Sequence, residues 1–233
     1  MEKLAVFTGS RNIYPDMIPA CKSLIKNSDV DKILLMIEDD EFPYELPDMI
    51  ETRNVSRQRY FKNDGPNRKN KFTYLAMMRA ALGLELPEHD YVVSFDCDII
   101  VDKPIGSYLW DLPLDDYFFA AAREPHRCNE RQPLYCNIGV TAHNLKLMRR
   151  YNKPQEYIDR LNSHVHPFVD QDVLNILSYP RIYDLDSAYN ACRFTVPTDD
   201  PKIIHYAGKK REDWIHESVV EKWRDMPWKE VLG

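Results

Sequence analysis

Two hydrophobic periods alternate along the chain and predict alternating strands and helices. Leu4-Ala5-Val6-Phe7-Thr8 and Lys32-Ile33-Leu34-Leu35-Met36-Ile37 are continuous apolar runs of the kind that form buried strands. A polar loop, Gly9-Ser10-Arg11-Asn12, separates the first run from a helix predicted over 16–26, kinked or restarted at Pro19. Asp39-Asp40-Glu41 predicts a turn. The polar, basic stretch 53–71, with Asn-Asp-Gly-Pro at its centre, predicts a loop. Leu75, Met78, Arg79 and Leu82 fall at helical spacings within a helix predicted over 72–84 and ended by Pro87. Further strands are predicted at 92–101, 117–122, 137–144 and 203–206, and Pro104 opens a short predicted helix. A helical turn over 145–151 and helices over 154–162, 170–177 and 213–224 complete the pattern. Early strand–helix alternation implies an α/β fold with a central, mostly parallel sheet flanked by helices. No repeat or low-complexity linker interrupts it, so 1–233 reads as one domain.

The run from Val92 to Val101 is broken once, by Asp96 and Asp98 on either side of Cys97. Buried strands rarely hold carboxylates without a partner. At a strand's carboxyl end, residues i and i+2 point the same way. Two carboxylates held there by a rigid sheet can grip a divalent cation and, through it, a phosphate. The same alternation turns Cys97 away from such an ion. A polar turn between two short strands is the plainer alternative.

Composition narrows the class without choosing the chemistry. A formal net charge of −6 argues against a nucleic-acid surface, the basic loop 57–71 being the one local exception. No apolar stretch approaches the length of a membrane span, and no N-terminal signal pattern is visible. The five cysteines form no C-x-x-C pair and read as reduced thiols of a cytoplasmic protein. The helix predicted over 213–224 mixes Trp214, Ile215, Val219, Val220 and Trp223 with charges of both signs, which favours core packing over membrane docking.

Three more patterns carry candidate chemistry. In Tyr135-Cys136-Asn137-Ile138-Gly139-Val140, a glycine inside a strand marks a bulge or the close approach of another group. In Val169-Asp170-Gln171-Asp172-Val173-Leu174-Asn175, either Asp alone reads as a helix cap or a partner of the helix dipole. In Ile203-Ile204-His205-Tyr206-Ala207-Gly208-Lys209-Lys210-Arg211, a histidine ends a strand beside a glycine and three cations, which suits a metal ligand next to a phosphate clamp.

Taken in order, these motifs resemble the family 8 retaining glycosyltransferases, which include glycogenin and the bacterial lipopolysaccharide galactosyl- and glucosyltransferases. The likeness runs from Val6 to Gly208 and implies a GT-A fold, one Rossmann-like domain that binds a nucleotide-sugar at the carboxyl edge of its sheet. It further implies Asp96, Asp98 and His205 as ligands of Mn²⁺ (or Mg²⁺), and a UDP-sugar as donor. Phe7, Thr8, Ser10 and Asn12 occupy the place where the family holds uracil and ribose. Asn137 and Gln171 match contacts to the transferred sugar, and Asp170 and Asp172 match carboxylates on its hydroxyls. The implied division is a nucleotide-sugar part over 1–125 and a sugar and acceptor part over 126–233.

The chain departs from the family in two places. Lys209, Lys210 and Arg211 stand after Gly208 without the usual Lys-Pro-Trp, so which of them reaches the diphosphate stays open. The helix before the D-x-D strand lacks its early cation, and Lys71, ahead of Arg79, is taken as the substitute. The implied acceptor is a hydroxyl of a glycan, a lipid-linked sugar or a protein, and Arg123-Glu124-Pro125-His126 follows the strand that should face it. Two other readings stand beside this one. A catalytically silent nucleotide-sugar or glycan binder would carry the same motifs. A sugar-nucleotide pyrophosphorylase should have a glycine-rich loop, where Thr8-Gly9-Ser10-Arg11-Asn12 has one glycine.

Overall fold

The apolar runs become the centre of a sheet. In a computed structural model that describes residues 2–69 and 72–233, the elements follow one another as β1 (Leu4–Thr8), α1 (Tyr14–Asn27), β2 (Lys32–Ile37), β3 (Ile50–Asn54), α2 (Tyr74–Glu85), β4 (Tyr91–Phe95), β5 (Ile99–Val101) and β6 (Phe119–Arg123). They continue as β7 (Cys136–Asn144), α3 (Leu145–Arg150), α4 (Lys153–Ser163), α5 (Val169–Ser178), β8 (Ile182–Leu185), β9 (Ile203–His205), α6 (Arg211–Trp214), α7 (Ser218–Asp225) and α8 (Trp228–Leu232). Among the described residues, seven strands form one mixed sheet in the order β3-β2-β1-β4-β7-β6-β8. Only β7 runs against the others.

Alternation along each strand sorts side chains onto two faces. Val6, Leu34, Met36 and Val92 join α2, α4 and α5 through Leu75, Met78, Leu161 and Val173. Phe7, Ile33, Leu35, Val93 and Phe95 join α1 through Met17, Cys21 and Leu24 on the opposite face. Asn175 rivets α5 to the sheet: its Oδ1 accepts the Cys136 N–H at 2.7 Å, and its Nδ2 donates to the Cys136 carbonyl at 2.9 Å.

The Val92–Val101 run is two strands in two sheets. β4 ends at Phe95, the chain turns through Asp96-Cys97-Asp98, and β5 leaves the main sheet to pair antiparallel with β9. The expected strand end and its alternative, a polar turn, are thus both present. Antiparallel register sets Ile99 opposite His205, and the Tyr206 N–H donates to the Asp98 carbonyl at 2.9 Å.

Several expectations are corrected. Helix α1 runs unbroken through Pro19, which lies near its start, where the lost hydrogen bond is least disruptive. Pro104 opens turns rather than a helix. β3 and β8 escaped detection because half-exposed strands with polar residues, Ile-Glu-Thr-Arg-Asn and Ile-Tyr-Asp-Leu, lack a continuous apolar run. The helix expected over 213–224 is split at Glu217, whose carboxylate leaves the helical path to accept from Tyr206 Oη at 2.8 Å and Lys209 Nζ at 3.2 Å. Among the described residues, no helix is long and apolar enough to cross a membrane.

Replacing Asn175 by Leu strands a buried N–H and carbonyl of β7. We expect urea unfolding of Asn175→Leu to show about 2–4 kcal/mol less stability than wild type, and a loss under about 1 kcal/mol would contradict the rivet.

Candidate active site

Ring geometry starts with a glycine. A Cβ on Gly139 would lie 2.1 Å from His205 Cε1 and 2.8 Å from its Nε2, so the imidazole sits where any side chain on β7 would stand. The glycine inside the strand is therefore explained by close approach of a side chain. The pairing of β6 with β7 also slips at this point, so the bulge is present as well. Resting on that bare backbone, His205 Nε2 faces Asp96 Oδ2 at 3.5 Å and Asp98 Oδ1 at 3.3 Å. One ligand atom from each of the three residues lies within 4.8 Å of the other two. Two carboxylates and one imidazole suit a hard divalent ion such as Mn²⁺ or Mg²⁺, and the set contains no thiolate. Cys97 points away, its Sγ donating to the Thr8 carbonyl at 3.4 Å.

Charge is concentrated around the trio. Arg79 is buried, pairs with Asp96 and stands 3.4 Å from Asp170. Burial opposes its charge, yet Asp96 and Asp170 hold its pKa above the ordinary range. Burial also works against ionisation of Asp96, but Arg79 and His205 outweigh it and depress its pKa. His205 would lose its proton through burial alone. The Asp98 and Asp96 carboxylates reverse this and hold its pKa well above the ordinary value. Asp170 goes the other way: burial pushes its carboxyl up to about 7, with Arg79 offsetting only part of the rise. The Cys192 thiol is raised by burial, but its hydrogen bond to His205 brings the pKa below the ordinary range.

A second polar cluster adjoins the first. Glu124, 2% exposed, accepts from Asn137 Nδ2 at 2.8 Å and Gln171 Nε2 at 3.3 Å, and pairs with Arg127 Nε at 2.9 Å. Asn137 Oδ1 accepts the Gly139 N–H at 3.0 Å and Asn190 Nδ2 at 3.0 Å. Asn190 Oδ1 in turn lies 2.8 Å from His205 Nδ1. One chain of hydrogen bonds thus links Glu124 to the histidine.

The expected site residues fare differently. Asp96, Asp98, His205, Asp170 and Gln171 come together. Asn137 is present, but both ends of its amide already have partners. Asp172 accepts from Tyr135 Oη at 2.6 Å and from the Phe168 N–H at 2.9 Å, the capping role the sequence allowed, and both its oxygens are engaged within the fold. Phe7 is corrected: its side chain is fully buried and stacked on Phe95 at 5.3 Å, so only the strand end beyond it faces a ligand. Thr8 is partly buried there, and Ser10 Oγ donates to Asn12 Oδ1 at 2.5 Å. Beside them, a cavity of about 430 Å³ is lined by Arg11, Tyr14, Asp39, Asp40, Phe42 and Pro43.

Arg211 is also corrected. Its guanidinium forks onto the buried Asp16 at 2.6–2.9 Å, which ties α6 to α1 and takes it out of the cation set. Lys209 pairs with Glu217, and Lys210 is exposed. Gly208 adopts φ 69°, a left-handed turn in which a Cβ would also press on Phe194 at 3.0 Å. Lys71 lies outside the described residues. Arg79, placed second in the sequence reading, is the cation among the described residues that meets both Asp96 and Asp170. Glu124 was read as facing an acceptor rather than as a buried hub. Asn190 carried no signal, since a lone Asn in Ser187-Ala188-Tyr189-Asn190 has neither period nor motif.

The raised pKa of Asp170 makes a pH prediction. The folded chain keeps its proton up to about pH 7, whereas an unfolded aspartate releases it near 3.8. The native state therefore binds the extra proton between these values, and stability falls as pH rises through that window. From about pH 4 to about pH 7, wild type should lose stability relative to Asp170→Asn at up to about 1.4 kcal/mol per pH unit. Parallel stability curves for the two proteins would contradict the assignment.

Known structures share this architecture at low identity. The glycosyltransferase GlyE of Streptococcus pneumoniae superposes with a TM-score of 0.72 at 22% identity, over 100% of this chain and 62% of GlyE. The chain thus spans less than two thirds of that relative. The galactosyltransferase LgtC, in complex with donor and acceptor sugar analogues, gives 0.69 at 18% identity, over 98% of this chain and 100% of LgtC. Mouse xyloside xylosyltransferase 1 gives 0.62 at 15% identity, over 89% of this chain and 98% of that one. No curated protein sequence matches the chain. The sequence profile of glycosyl transferase family 8 matches residues 18–212, and with the fold and the Asp96–Asp98–His205 cluster in place, the chain belongs to that family.

Proposed function

We propose that the protein transfers a hexose from a UDP-sugar, UDP-glucose or UDP-galactose, to an acceptor hydroxyl with retention at the anomeric carbon. The observation that carries this reading is the convergence of Asp96, Asp98 and His205 Nε2 within 4.8 Å at the edge of the sheet. Family membership and the fold shared with LgtC support it. Asp96, Asp98 and His205 would hold Mn²⁺ or Mg²⁺, and Gly139 leaves the room that the imidazole needs. When bound, the ion supplies positive charge against a leaving diphosphate.

This chain's own residues do the rest. The end of β1, with Thr8, Ser10 and Asn12, and the adjoining cavity receive uracil and ribose. Arg79 takes the part expected of Lys71, balancing Asp96 and Asp170 and leaving the site able to accept an anion. The Gly208 turn presents Lys209 and Lys210 to the diphosphate. Gln171, held by Glu124 and Tyr135, positions the sugar together with Asp170, while Asn137 and Asp172 brace them from behind. The halves 1–125 and 126–233 thus contribute mainly nucleotide and sugar contacts, respectively. The acceptor is a glycan, lipid-linked or protein hydroxyl. Five free cysteines fit the reducing, cytoplasmic compartment read from the sequence.

Retention is assigned to attack from the leaving group's own face. The acceptor oxygen bonds to the anomeric carbon as the carbon–phosphate oxygen bond breaks, and the departing oxygen takes the acceptor's proton. Gln171, a primary amide, is too weak a nucleophile to form the covalent alternative.

Two measurements test the reading. Against a panel of UDP-sugars, Asp98→Ala should lose Mn²⁺-dependent turnover by about 100-fold or more, the scale of one removed electrostatic stabiliser. Undiminished turnover sinks the metal assignment, and UDP binding without any turnover in wild type would favour the silent binder. Intact-mass analysis during donor turnover should show no added hexose. A glycosyl adduct on Asp170 would overturn same-face attack.

A further inference from the structure

We propose that Asn190 is a positioning residue that fixes the tautomer of His205, holding the proton on Nδ1 and turning the Nε2 lone pair toward Asp96 and Asp98. This inference rests on the metal-dependent reading above. It starts from the orientation of one amide. Asn190 is fully buried, and one end of its side chain lies 3.1 Å from the main-chain carbonyl of Asn137. A carbonyl only accepts, so that end is the Nδ2 donor and the other is Oδ1. Oδ1 stands 2.8 Å from His205 Nδ1. An amide oxygen also only accepts, so Nδ1 is the nitrogen that carries hydrogen. The remaining nitrogen, Nε2, faces the two carboxylates at 3.3 and 3.5 Å.

The surroundings leave the ring little other choice. One face is occupied by the Gly139 backbone, where a Cβ would come within 2.5 Å of Nδ1. The His205 N–H donates to the Ala191 carbonyl at 3.0 Å, so the residue after Asn190 is tied to the same strand. Thr195 Oγ1 donates to the Asn190 carbonyl at 2.9 Å and fixes the main chain on the other side. Asn190 Nδ2 also reaches Asn137 Oδ1 at 3.0 Å, so one amide joins the histidine to the Glu124 hub. Asparagine suits this position because it offers an acceptor to Nδ1 and a donor to Asn137 together. A metal ligand whose second nitrogen is held in this way is oriented before the ion arrives.

The test compares two substitutions of similar size. Asn190→Leu removes the acceptor and the donor, whereas Asn190→Asp keeps the acceptor. Free Mn²⁺ is counted by electron paramagnetic resonance in the presence of saturating UDP, with thermal unfolding followed in parallel. Wild type should bind the ion, Asn190→Leu should bind it about 10- to 100-fold more weakly, and Asn190→Asp should recover most of the loss. Unchanged affinity in folded Asn190→Leu would overturn the proposal, as would equal losses in both variants, which would mark a merely structural role. A wild-type protein that binds no Mn²⁺ with UDP would instead overturn the metal reading itself, and this inference with it. Should Asn190→Leu fail to fold, nitrogen-15 spectra of the wild-type histidine ring with Mg²⁺ and UDP decide the matter. Hydrogen on Nδ1 alone supports the proposal, and hydrogen on Nε2 overturns it.

Discussion

The 2.9 Å bond from the Tyr206 N–H to the Asp98 carbonyl, with the register that sets Ile99 opposite His205, ties the end of the chain to the turn that carries the carboxylates. Nothing in the seven-stranded sheet alone would bring these segments together, because β9 is not part of it. The short β5–β9 ribbon does so by leaving the main sheet just past Asp96. Its partners depend on it in turn. The Gly139 backbone receives the imidazole only while that ribbon holds, and Asn190 meets Nδ1 only because Ala191 bonds to the same strand.

Electrostatics makes this arrangement costly without a cation. Asp96, Asp98 and Asp170 crowd one region, and Arg79 alone does not balance them. The folded chain responds with protons: His205 is held charged between Asp96 and Asp98, and burial pushes the Asp170 carboxyl up to about 7. A divalent ion bound at the trio would displace the proton on His205, since a ligating imidazole is neutral. Stability is thereby given up locally to keep acidic groups where a cation and an anionic donor would use them.

Much of this was legible in the sequence wherever the signal was a continuous run. β1 and β2 lie where their apolar stretches end, and the glycine in Asn137-Ile138-Gly139 announced a close approach that proved to be the imidazole. Signals failed where a residue's role depends on a distant partner. Arg211 looks like one of three equivalent cations until Asp16, far away in sequence, claims it. Asp172 looks equivalent to Asp170 until Tyr135 and the Phe168 N–H occupy both its oxygens. Phe7 sits in the right motif, yet strand alternation sends its ring into the core against Phe95. Edge strands β3 and β8 fail for a related reason, since a half-solvated strand needs no continuous apolar run.

The central claim is that Asp96, Asp98 and His205 form one divalent-cation site beside a nucleoside-diphosphate pocket. The most direct measurement is an anomalous difference map, at the manganese edge, from crystals grown with Mn²⁺ and UDP. The account predicts one dominant peak bounded by the two carboxylates and His205 Nε2, with the diphosphate against it. UDP bound in the cleft with no manganese peak at these three residues would contradict it.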